Sequence, residues 1–271
     1  VCSVARALPG TLARAPGARW VQSRSAGVET LLYPGRADAG VVLTNGKGAF
    51  SPSLAEFVMA AVFHFAKDVR RLIRNQAGRR WEQYVPAMVE GQTLGIVGYG
   101  DIGRATAGKA RAMGMRIAAL RRRESAAPDP LLETTFPAAQ LRQLMAWSDV
   151  VLLATPLTPD THGLVGAEEI GAMKPTAILV NVGRGPVVVE AALVEALRGG
   201  RIAGAALDVF ETEPLPPESP FWSLENVLLS PHCADQVEGW LEPAMQCFRA
   251  NLERFVAGEP LLNVVDPRRG Y

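Results

Sequence analysis

Short apolar runs alternate with helical stretches from Gly91 onward, and this alternation limits the possible folds more than any other feature of the chain. The runs show no polar alternation, which is typical of parallel strands that are covered on both faces. They lie at residues 93–98, 115–120, 149–155, 177–182, 202–210 and 226–230. Helices between parallel strands form repeated βαβ units, so the pattern predicts an α/β fold with a doubly wound parallel sheet of Rossmann type over residues 86–236.

Before Gly91 the pattern is weaker. Three candidate strands lie at residues 1–5, 19–23 and 39–44, and an amphipathic helix is predicted from Ser51 to about Ile73. Another helix is predicted from about Gln236 to Val256. We assign residues 1–85 and 237–271 to a second, smaller domain. The chain begins without methionine inside an apparent strand, so we expect residues upstream to be missing, and any targeting peptide with them.

Composition excludes several classes of protein. A hydrophobic content of 48% with 20% charged residues is that of a globular chain, and a net charge of +1 predicts no general attraction to nucleic acid or to an anionic membrane. No apolar run approaches the roughly 20 residues that span a bilayer. Cys2, Cys233 and Cys247 form neither a spaced framework nor a metal-ligand cluster. We therefore expect no metal and a reducing, cytoplasmic location.

A G-x-G-x-x-G motif, formed by Gly98, Gly100 and Gly103, lies between the first apolar run and a helix. In such a motif the first glycine permits a tight turn, the second lets the backbone approach a pyrophosphate, and the third lets helix and strand pack closely. The first helical residues, Asp101 and Ile102, contribute to a helix N-terminus whose N–H groups favour phosphate. The motif with these flanks predicts dinucleotide binding.

Three arginines, Arg121 to Arg123, follow the second apolar run. An acidic residue roughly 20 positions after the third glycine would bind the ribose hydroxyls of NAD. Arg121 stands 18 positions after Gly103, and no carboxylate occupies that point. Because a guanidinium can grip a 2′-phosphate, the sequence predicts NADP(H) as the preferred cofactor, with NAD(H) possible and with Arg121 and Arg122 as contacts. A solvated basic loop is the alternative interpretation.

Five stretches occur in an order and spacing typical of one known family. They are VGYGDIG at 97–103, TPLTPDTHGLVG at 155–166, NVGRG at 181–185, ALDVFETEP at 206–214 and LSPH at 229–232. With them the sequence resembles the D-isomer-specific 2-hydroxyacid dehydrogenases from about Ser23 to its end, and its cofactor signature is most similar to that of NADP-dependent glyoxylate/hydroxypyruvate reductases. The resemblance implies a flavodoxin-like substrate domain, incomplete here at the N-terminus, beside the Rossmann domain.

The resemblance also implies a catalytic trio of Arg184, Glu213 and His232. Reduction of a 2-oxo acid needs a proton at the carbonyl oxygen, and an unperturbed imidazole, with a pKa of about 6.5, suits that role. Glu213 would hydrogen-bond the other ring nitrogen, and Arg184 would hold the substrate carboxylate with its planar fork. Taken singly, each has a structural interpretation: a phosphate contact, a loop carboxylate and a core histidine.

Further contacts follow from the same resemblance. Ala26 and Gly27, in the stretch SAGVE at 25–29, would present backbone N–H groups to the substrate carboxylate beside Arg184 and His232. Asp208 would bind the nicotinamide carboxamide. The other residues implied to line the cofactor are Thr155, Val182, Arg184, His232 and Ala234.

These residues predict an NAD(P)-dependent reductase that converts a small 2-oxo acid of the glyoxylate or hydroxypyruvate type to the D-2-hydroxy acid. Glu213 counts against formate, because the formate dehydrogenase relatives carry glutamine there. The alternative is a corepressor-like binding protein of the same fold. Residues 53–81 resemble the arm through which family members dimerise, and five apolar residues exceed what one small core requires, which predicts a homodimer. They are Phe57, Val58, Ala61, Val62 and Phe65.

Overall fold

A computed structural model describes residues 2–3, 15, 17–32, 40–122 and 128–270 of the chain. Near the N-terminus, these residues form a parallel sheet in the order β1-β2-β3. Its strands are β1 (Cys2–Ser3), β2 (Trp20–Ser23) and β3 (Val42–Thr44). Residues 1, 4 and 5 of the first predicted strand, residue 39 of the third, and Arg123 of the arginine run lie outside the described residues.

The larger sheet of the described chain has the order β10-β9-β8-β7-β4-β5-β6, and every neighbouring pair is parallel. Its strands are β4 (Thr93–Val97), β5 (Arg116–Arg121), β6 (Thr134–Pro137), β7 (Val150–Leu153), β8 (Ile178–Asn181), β9 (Gly204–Leu207) and β10 (Val227–Leu229). The predicted Rossmann-type α/β fold is confirmed. Strand β6 was not predicted, because its residues alternate between half-buried and exposed at the sheet edge and form no apolar run.

The strand order reverses between β4 and β7. From β4 the sheet continues through β5 to one edge, whereas β7 begins the series that runs to the other edge. In open α/β sheets the crevice at the carboxyl ends of the strands at such a reversal is where ligands bind. The topology alone therefore indicates a functional site at the carboxyl ends of β4 and β7.

Helices cover both faces of the larger sheet. They are α1 (Ser51–Ala66), α2 (Val69–Ala77), α3 (Asp101–Ala112), α4 (Leu141–Trp147), α5 (Ala167–Ala172), α6 (Glu190–Arg198) and α7 (Leu241–Ala257). Within β7, Val151 and Leu153 join the core cluster under α4, α5 and α6, whereas Val150 and Leu152 join the cluster under α1 and α3. Because both faces are buried, the strands need mostly apolar residues along their length.

The helix predicted from Ser51 to Ile73 is in fact two helices. Asp68 lies between α1 and α2 in the left-handed region, with φ of 48°, and its side chain accepts a hydrogen bond from the N–H of Arg71 at 3.3 Å. Aspartate tolerates this conformation better than most residues and is a good N-cap, so it ends one helix and starts the next. The C-terminal helix, predicted from about Gln236, begins only at Leu241 and ends at Gly258, whose φ is 72°.

The apolar face of α1 packs against the larger sheet of its own chain. Val58, Ala61 and Val62 are fully buried in the cluster that contains β4, β7 and β8, and Phe57 and Phe65 pack against it. The argument that these residues exceed the need of one core was therefore wrong. The same packing groups α1 with the larger sheet, although the predicted boundary at residue 85 assigns it to the smaller domain.

The C-terminal helix α7 holds the smaller sheet. The ring of Trp20 in β2 stacks between Phe248 and Phe255 of α7, with centroid distances of 5.5 and 5.4 Å. The N-terminal turn of α7 places Ala244 in the cluster of the larger sheet. One helix thus ties both sheets together.

No helix in the described part of the chain is long and apolar enough to cross a membrane. Among the same residues, His, Cys, Asp and Glu side chains form no group of three that could hold a metal ion.

Candidate active site

Most of the predicted site residues follow directly after strands of the larger sheet. Since the carboxyl ends of parallel strands meet at one edge, these residues share the edge that holds the crevice. They are Gly98 after β4, Thr155 after β7, Val182 and Arg184 after β8, Asp208 after β9, and His232 and Ala234 after β10.

The glycine turn has the geometry that its motif predicts. Gly98 has φ of 100°, and a Cβ there would lie 2.6 Å from the carbonyl of Ala154. A Cβ on Gly103 would lie 2.5 Å from the carbonyl oxygen of Gly98, so helix α3 packs tightly on the turn. Apart from its chain neighbours, no atom of the described residues lies within 4 Å of the corresponding position at Gly100, which leaves the backbone open there. Helix α3 begins at Asp101, so its free N–H groups face this opening, which suits a pyrophosphate.

An unpaired hydroxyl in the crevice also fits a nucleotide. The Oγ1 of Thr155 is buried and has no hydrogen-bond partner among the described residues. Buried polar groups are nearly always paired in folded proteins, so a polar ligand atom would satisfy it. The backbone N of Thr155 lies 2.8 Å from a Cβ built on Gly98, so the hydroxyl belongs to the same crevice as the glycine turn. Val182, after β8, is buried.

Arg121 lies at the end of β5, close to the glycine turn. Its side chain is mostly buried, and its guanidinium carbon lies 5.2 Å from the ring centroid of Tyr99, a cation–π contact. The next residue, Arg122, is exposed. The two arginines predicted to contact the cofactor are therefore at the strand end that the fingerprint assigns to the adenosine ribose.

Asp208 organises the loop that carries His232. Its side chain is buried, and its Oδ1 accepts hydrogen bonds from Ser230 Oγ at 2.5 Å, Cys233 N at 3.0 Å and Ala234 N at 3.1 Å. His232 lies inside this loop with φ of 52°, an uncommon value for a residue other than glycine. Because Oδ1 is fully engaged, only Oδ2 is left for the carboxamide contact predicted for Asp208.

The structure brings His232 and Glu213 into direct contact. Glu213 Oε2 lies 2.7 Å from His232 Nδ1, and Oε1 accepts a hydrogen bond from the N–H of Phe210 at 3.0 Å. The carboxylate is thus held by the backbone while it orients the ring. With Nδ1 engaged, Nε2 is the ring nitrogen that remains for a substrate.

Arg184 is held by a carboxylate from the segment that follows β2. Its Nε and Nη2 donate to Glu29 Oε1 and Oε2 at 3.1 and 3.4 Å, and its Nη1 donates to the carbonyl of Gly183 at 2.7 Å. A guanidinium has five N–H groups, so these contacts leave one N–H on each terminal nitrogen. A Cβ on Gly27 would lie 1.5 Å from Nη2, so the loop predicted to bind substrate touches this side chain. The carbonyl of the neighbouring Ala26 accepts from Asn45 Nδ2 at 2.7 Å.

Glu29 is a residue that the sequence analysis missed. It belongs to the SAGVE stretch, but nothing in that stretch indicates a partner 155 positions away. An acidic residue two positions after a close-approach glycine was the available signal.

Asp235 lies within electrostatic range of the predicted site residues. Burial raises the pKa of this half-buried carboxyl, the charges of His232 and Arg184 oppose the rise, and the charge of Asp208 adds to it. The pKa of this one carboxyl therefore depends on groups that follow β8, β9 and β10, which is expected if the three strand ends face a common space.

Comparison with known proteins identifies the family. The family model of the D-isomer specific 2-hydroxyacid dehydrogenase, NAD binding domain, matches residues 59–234. The chain belongs to the D-isomer specific 2-hydroxyacid dehydrogenase family. It is therefore an enzyme of the NAD(P)-dependent oxidoreductase class.

Several 2-hydroxyacid dehydrogenases match over nearly the whole chain. The glyoxylate reductase of Korarchaeum cryptofilum is 38% identical over 261 residues, which are 93% of this chain and 77% of that protein. The glyoxylate/hydroxypyruvate reductase B of Pectobacterium carotovorum is 34% identical over 263 residues, 95% of this chain and 82% of that protein.

Solved 2-hydroxyacid dehydrogenases share the fold. The enzyme from Xanthobacter autotrophicus Py2, solved with NADPH and MES, has a TM-score of 0.86 and 39% identity, with 97% of this chain and 82% of that chain covered. The NADPH-dependent glyoxylate/hydroxypyruvate reductase from Sinorhizobium meliloti, solved with NADP and sulfate, has a TM-score of 0.87 and 32% identity over 97% of this chain and 83% of that chain.

Proposed function

We propose that this dehydrogenase reduces glyoxylate, hydroxypyruvate and similar small 2-oxo acids to D-2-hydroxy acids, with NADPH preferred over NADH. The contact of 2.7 Å between His232 Nδ1 and Glu213 Oε2, at the strand edge that also holds Arg184, carries the proposal. It supplies an oriented proton donor at the same sheet edge as a cation that can bind a carboxylate. The names of the relatives and the solved structures with bound NADPH or NADP support the choice of substrate and cofactor.

The nucleotide would lie along the carboxyl edge of the larger sheet and, when bound, would supply the hydride. The backbone from Gly98 to Gly103, with Asp101 and Ile102 in the first turn of α3, would hold the pyrophosphate. Arg121 and Arg122 would contact the 2′-phosphate. The residues proposed to line the nicotinamide end are Thr155, Val182, Asp208 and Ala234.

Arg184 would bind the substrate carboxylate. Its two remaining N–H groups belong to different terminal nitrogens, so they form a fork that a carboxylate can accept end-on. Backbone N–H groups of Ala26 and Gly27 would add to this contact, since Gly27 lies against Nη2. Glu29 would keep the guanidinium plane in place before the substrate arrives.

His232 would donate the proton from Nε2 to the carbonyl oxygen as the carbonyl carbon becomes tetrahedral. Glu213 would stabilise the protonated ring and fix which nitrogen carries the reactive proton. In the direction of oxidation, the same nitrogen would accept the proton of the hydroxyl. No other titratable group of the described chain contacts the imidazole in this arrangement.

Steady-state kinetics on the purified chain test the proposal. We expect loss of dihydronicotinamide absorbance with glyoxylate and hydroxypyruvate, a kcat/KM at least about tenfold higher with NADPH than with NADH, and no oxidation of formate. The reason is that a 2′-phosphate pairs with Arg121 whereas a ribose hydroxyl does not. A preference for NADH, or turnover of formate, contradicts the proposal.

We also infer that the enzyme is a homodimer and that it resides in the cytoplasm. Large apolar side chains are exposed on α2 and on the segment that follows it, and a two-fold partner would cover them. Light scattering is expected to give twice the mass of the 29.0 kDa chain, and the monomer mass would contradict the inference. The exposed residues are Leu72, Ile73, Trp81, Val85 and Met88.

The cytoplasmic location is inferred from the thiols of Cys233 and Cys247, which are free and suit a reducing compartment.

A further inference from the structure

A carboxylate lies at the end of β5, where the sequence shows only arginines. The NAD fingerprint expects an acidic residue at this strand end, but Arg121 occupies the position. Asp129 reaches the same place from the following loop. Its Oδ2 is 3.7 Å from Arg121 Nη2 and forms a closer ion pair with Arg104, the residue after the third glycine. An anion is thus already paired with Arg104 and lies close to Arg121, beside the predicted 2′-phosphate site.

Asp129 is fixed by its own turn. Its Oδ1 accepts a hydrogen bond from the N–H of Leu131 at 3.1 Å, and its carbonyl accepts from the N–H of Leu132 at 3.0 Å. The side chain is only 7% exposed. These contacts hold the carboxylate against the arginines, so a ligand cannot displace it without breaking the turn.

The carboxylate is ionised. Burial opposes the charge, but the Leu131 N–H and the guanidinium of Arg104 hold the pKa of Asp129 below its ordinary value. The pKa of the neighbouring Tyr99 phenol is raised to about 12, mainly by burial and next by the negative charge of Asp129.

We propose that Asp129 is a specificity-determining residue of the adenosine end of the nucleotide site, where its fixed negative charge weakens the binding of a 2′-phosphate and so limits the preference for NADP(H) over NAD(H). This inference rests on the proposed nucleotide-dependent function. A 2′-phosphate carries a charge of about −1.5 to −2, by analogy with other phosphate monoesters, and is repelled by a nearby carboxylate. The uncharged 2′-hydroxyl of NAD(H) is not repelled.

A role in positioning the arginine is less consistent with the contacts. Arg121 already stacks on Tyr99, and its distance of 3.7 Å from Asp129 is long for an ion pair. Arg104, in contrast, is bound closely by the carboxylate, and a guanidinium occupied in this way has fewer N–H groups for a phosphate. Removal of the charge should therefore release Arg104 and leave Arg121 in place.

Binding of 2′,5′-ADP and of 5′-AMP, measured by calorimetry on the full chain, tests the inference without turnover. We expect Asp129→Asn to bind 2′,5′-ADP roughly tenfold more tightly than wild type at low salt, with 5′-AMP affinity within about twofold. Asparagine keeps the Oδ1 acceptor for Leu131. The matched control is Glu225→Gln, which neutralises an exposed carboxylate paired with Arg74 on α2 and should change neither affinity.

Two further variants separate the possible failures. Asp129→Ala should tighten 2′,5′-ADP binding like the Asn variant; a gain confined to Ala would assign the effect to the turn and overturn the inference. Unchanged or weaker 2′,5′-ADP binding by Asp129→Asn would overturn it as well. Arg121→Gln tests the proposed NADP(H) preference itself and should weaken 2′,5′-ADP but not 5′-AMP. If Arg121→Gln behaves so and Asp129→Asn does not, the proposed function stands and only this inference fails.

Discussion

Replacing His232 with alanine is expected to lower kcat for glyoxylate reduction by about 10²–10⁴-fold while the Kd for NADPH stays within about twofold. The imidazole is the one group of the described site that can deliver a proton from a position fixed by a carboxylate, with Glu213 2.7 Å from Nδ1. Its side chain is 43% exposed, so its removal should not damage the core. Steady-state assays give kcat, and calorimetric titration with NADPH gives the Kd.

The control for His232 is another histidine of the same chain. His64→Gln changes a half-buried residue on α1, remote from the carboxyl edge of the larger sheet, and should keep wild-type kcat. The kcat of Glu213→Gln should lie between those of His232→Ala and His64→Gln, because the amide still reaches the ring but does not stabilise its protonated form. Retention of wild-type kcat by His232→Ala would exclude His232 as the proton donor.

Arg184→Lys is expected to lower kcat/KM for glyoxylate by roughly 10²–10³-fold, although the positive charge is kept. A lysine has no planar fork, so it cannot bind Glu29 and a substrate carboxylate in the geometry described for the guanidinium. Glu29→Gln leaves the arginine intact but removes its ionic anchor, so we expect mainly a higher KM with a smaller change in kcat. Glu29→Asp should rescue part of the KM defect if the anchor acts through its charge.

The two substitutions should not be additive. Once Arg184 is lysine, Glu29 has little left to position, so the double variant is expected to lose less than the product of the single effects, with a coupling energy of about 1–3 kcal/mol. A matched pair is Arg74 and Glu225, which form an exposed ion pair at 2.8 Å away from the site, and whose variants should leave kcat/KM unchanged. Full additivity of the effects of the Glu29 and Arg184 substitutions on kcat/KM would contradict the proposal that Glu29 positions the Arg184 guanidinium.

The sequence predicted the larger sheet well because a doubly covered parallel strand has a distinct local pattern. Five of its strands, β4, β5, β7, β8 and β10, coincide closely with the predicted apolar runs, and β9 is a shorter segment within the run at 202–210. Strand β6 escaped because an edge strand needs no such run. The break at Asp68 was not predicted, because the amphipathic pattern continues across it. An aspartate in such a pattern can equally be a residue on the polar face of one continuous helix.

The site was predictable to the extent that its parts lie in local motifs. The glycine turn, Arg184, Glu213 and His232 belong to stretches whose spacing is visible along the chain, and the structure brings Glu213 to His232. Glu29 acts through Arg184, which is distant in sequence. Asp129 is brought close to Arg104 only by the turn of its loop. The role of Asp208 in holding the His232 loop was hidden for the same reason, since its partners lie 22 to 26 positions away.

Transfer of deuterium from labelled NADPH to hydroxypyruvate tests the central claim most directly. Hydroxypyruvate is preferred over glyoxylate here, because C2 of glycerate is a stereocentre with or without the label, whereas C2 of glycolate is a stereocentre only through the isotope. The account predicts D-glycerate that carries deuterium at C2, formed by the wild-type chain and formed at least about a hundredfold more slowly by His232→Ala. Tight NADPH binding with no glycerate formed, as expected of a corepressor-like protein, or formation of L-glycerate, would contradict it.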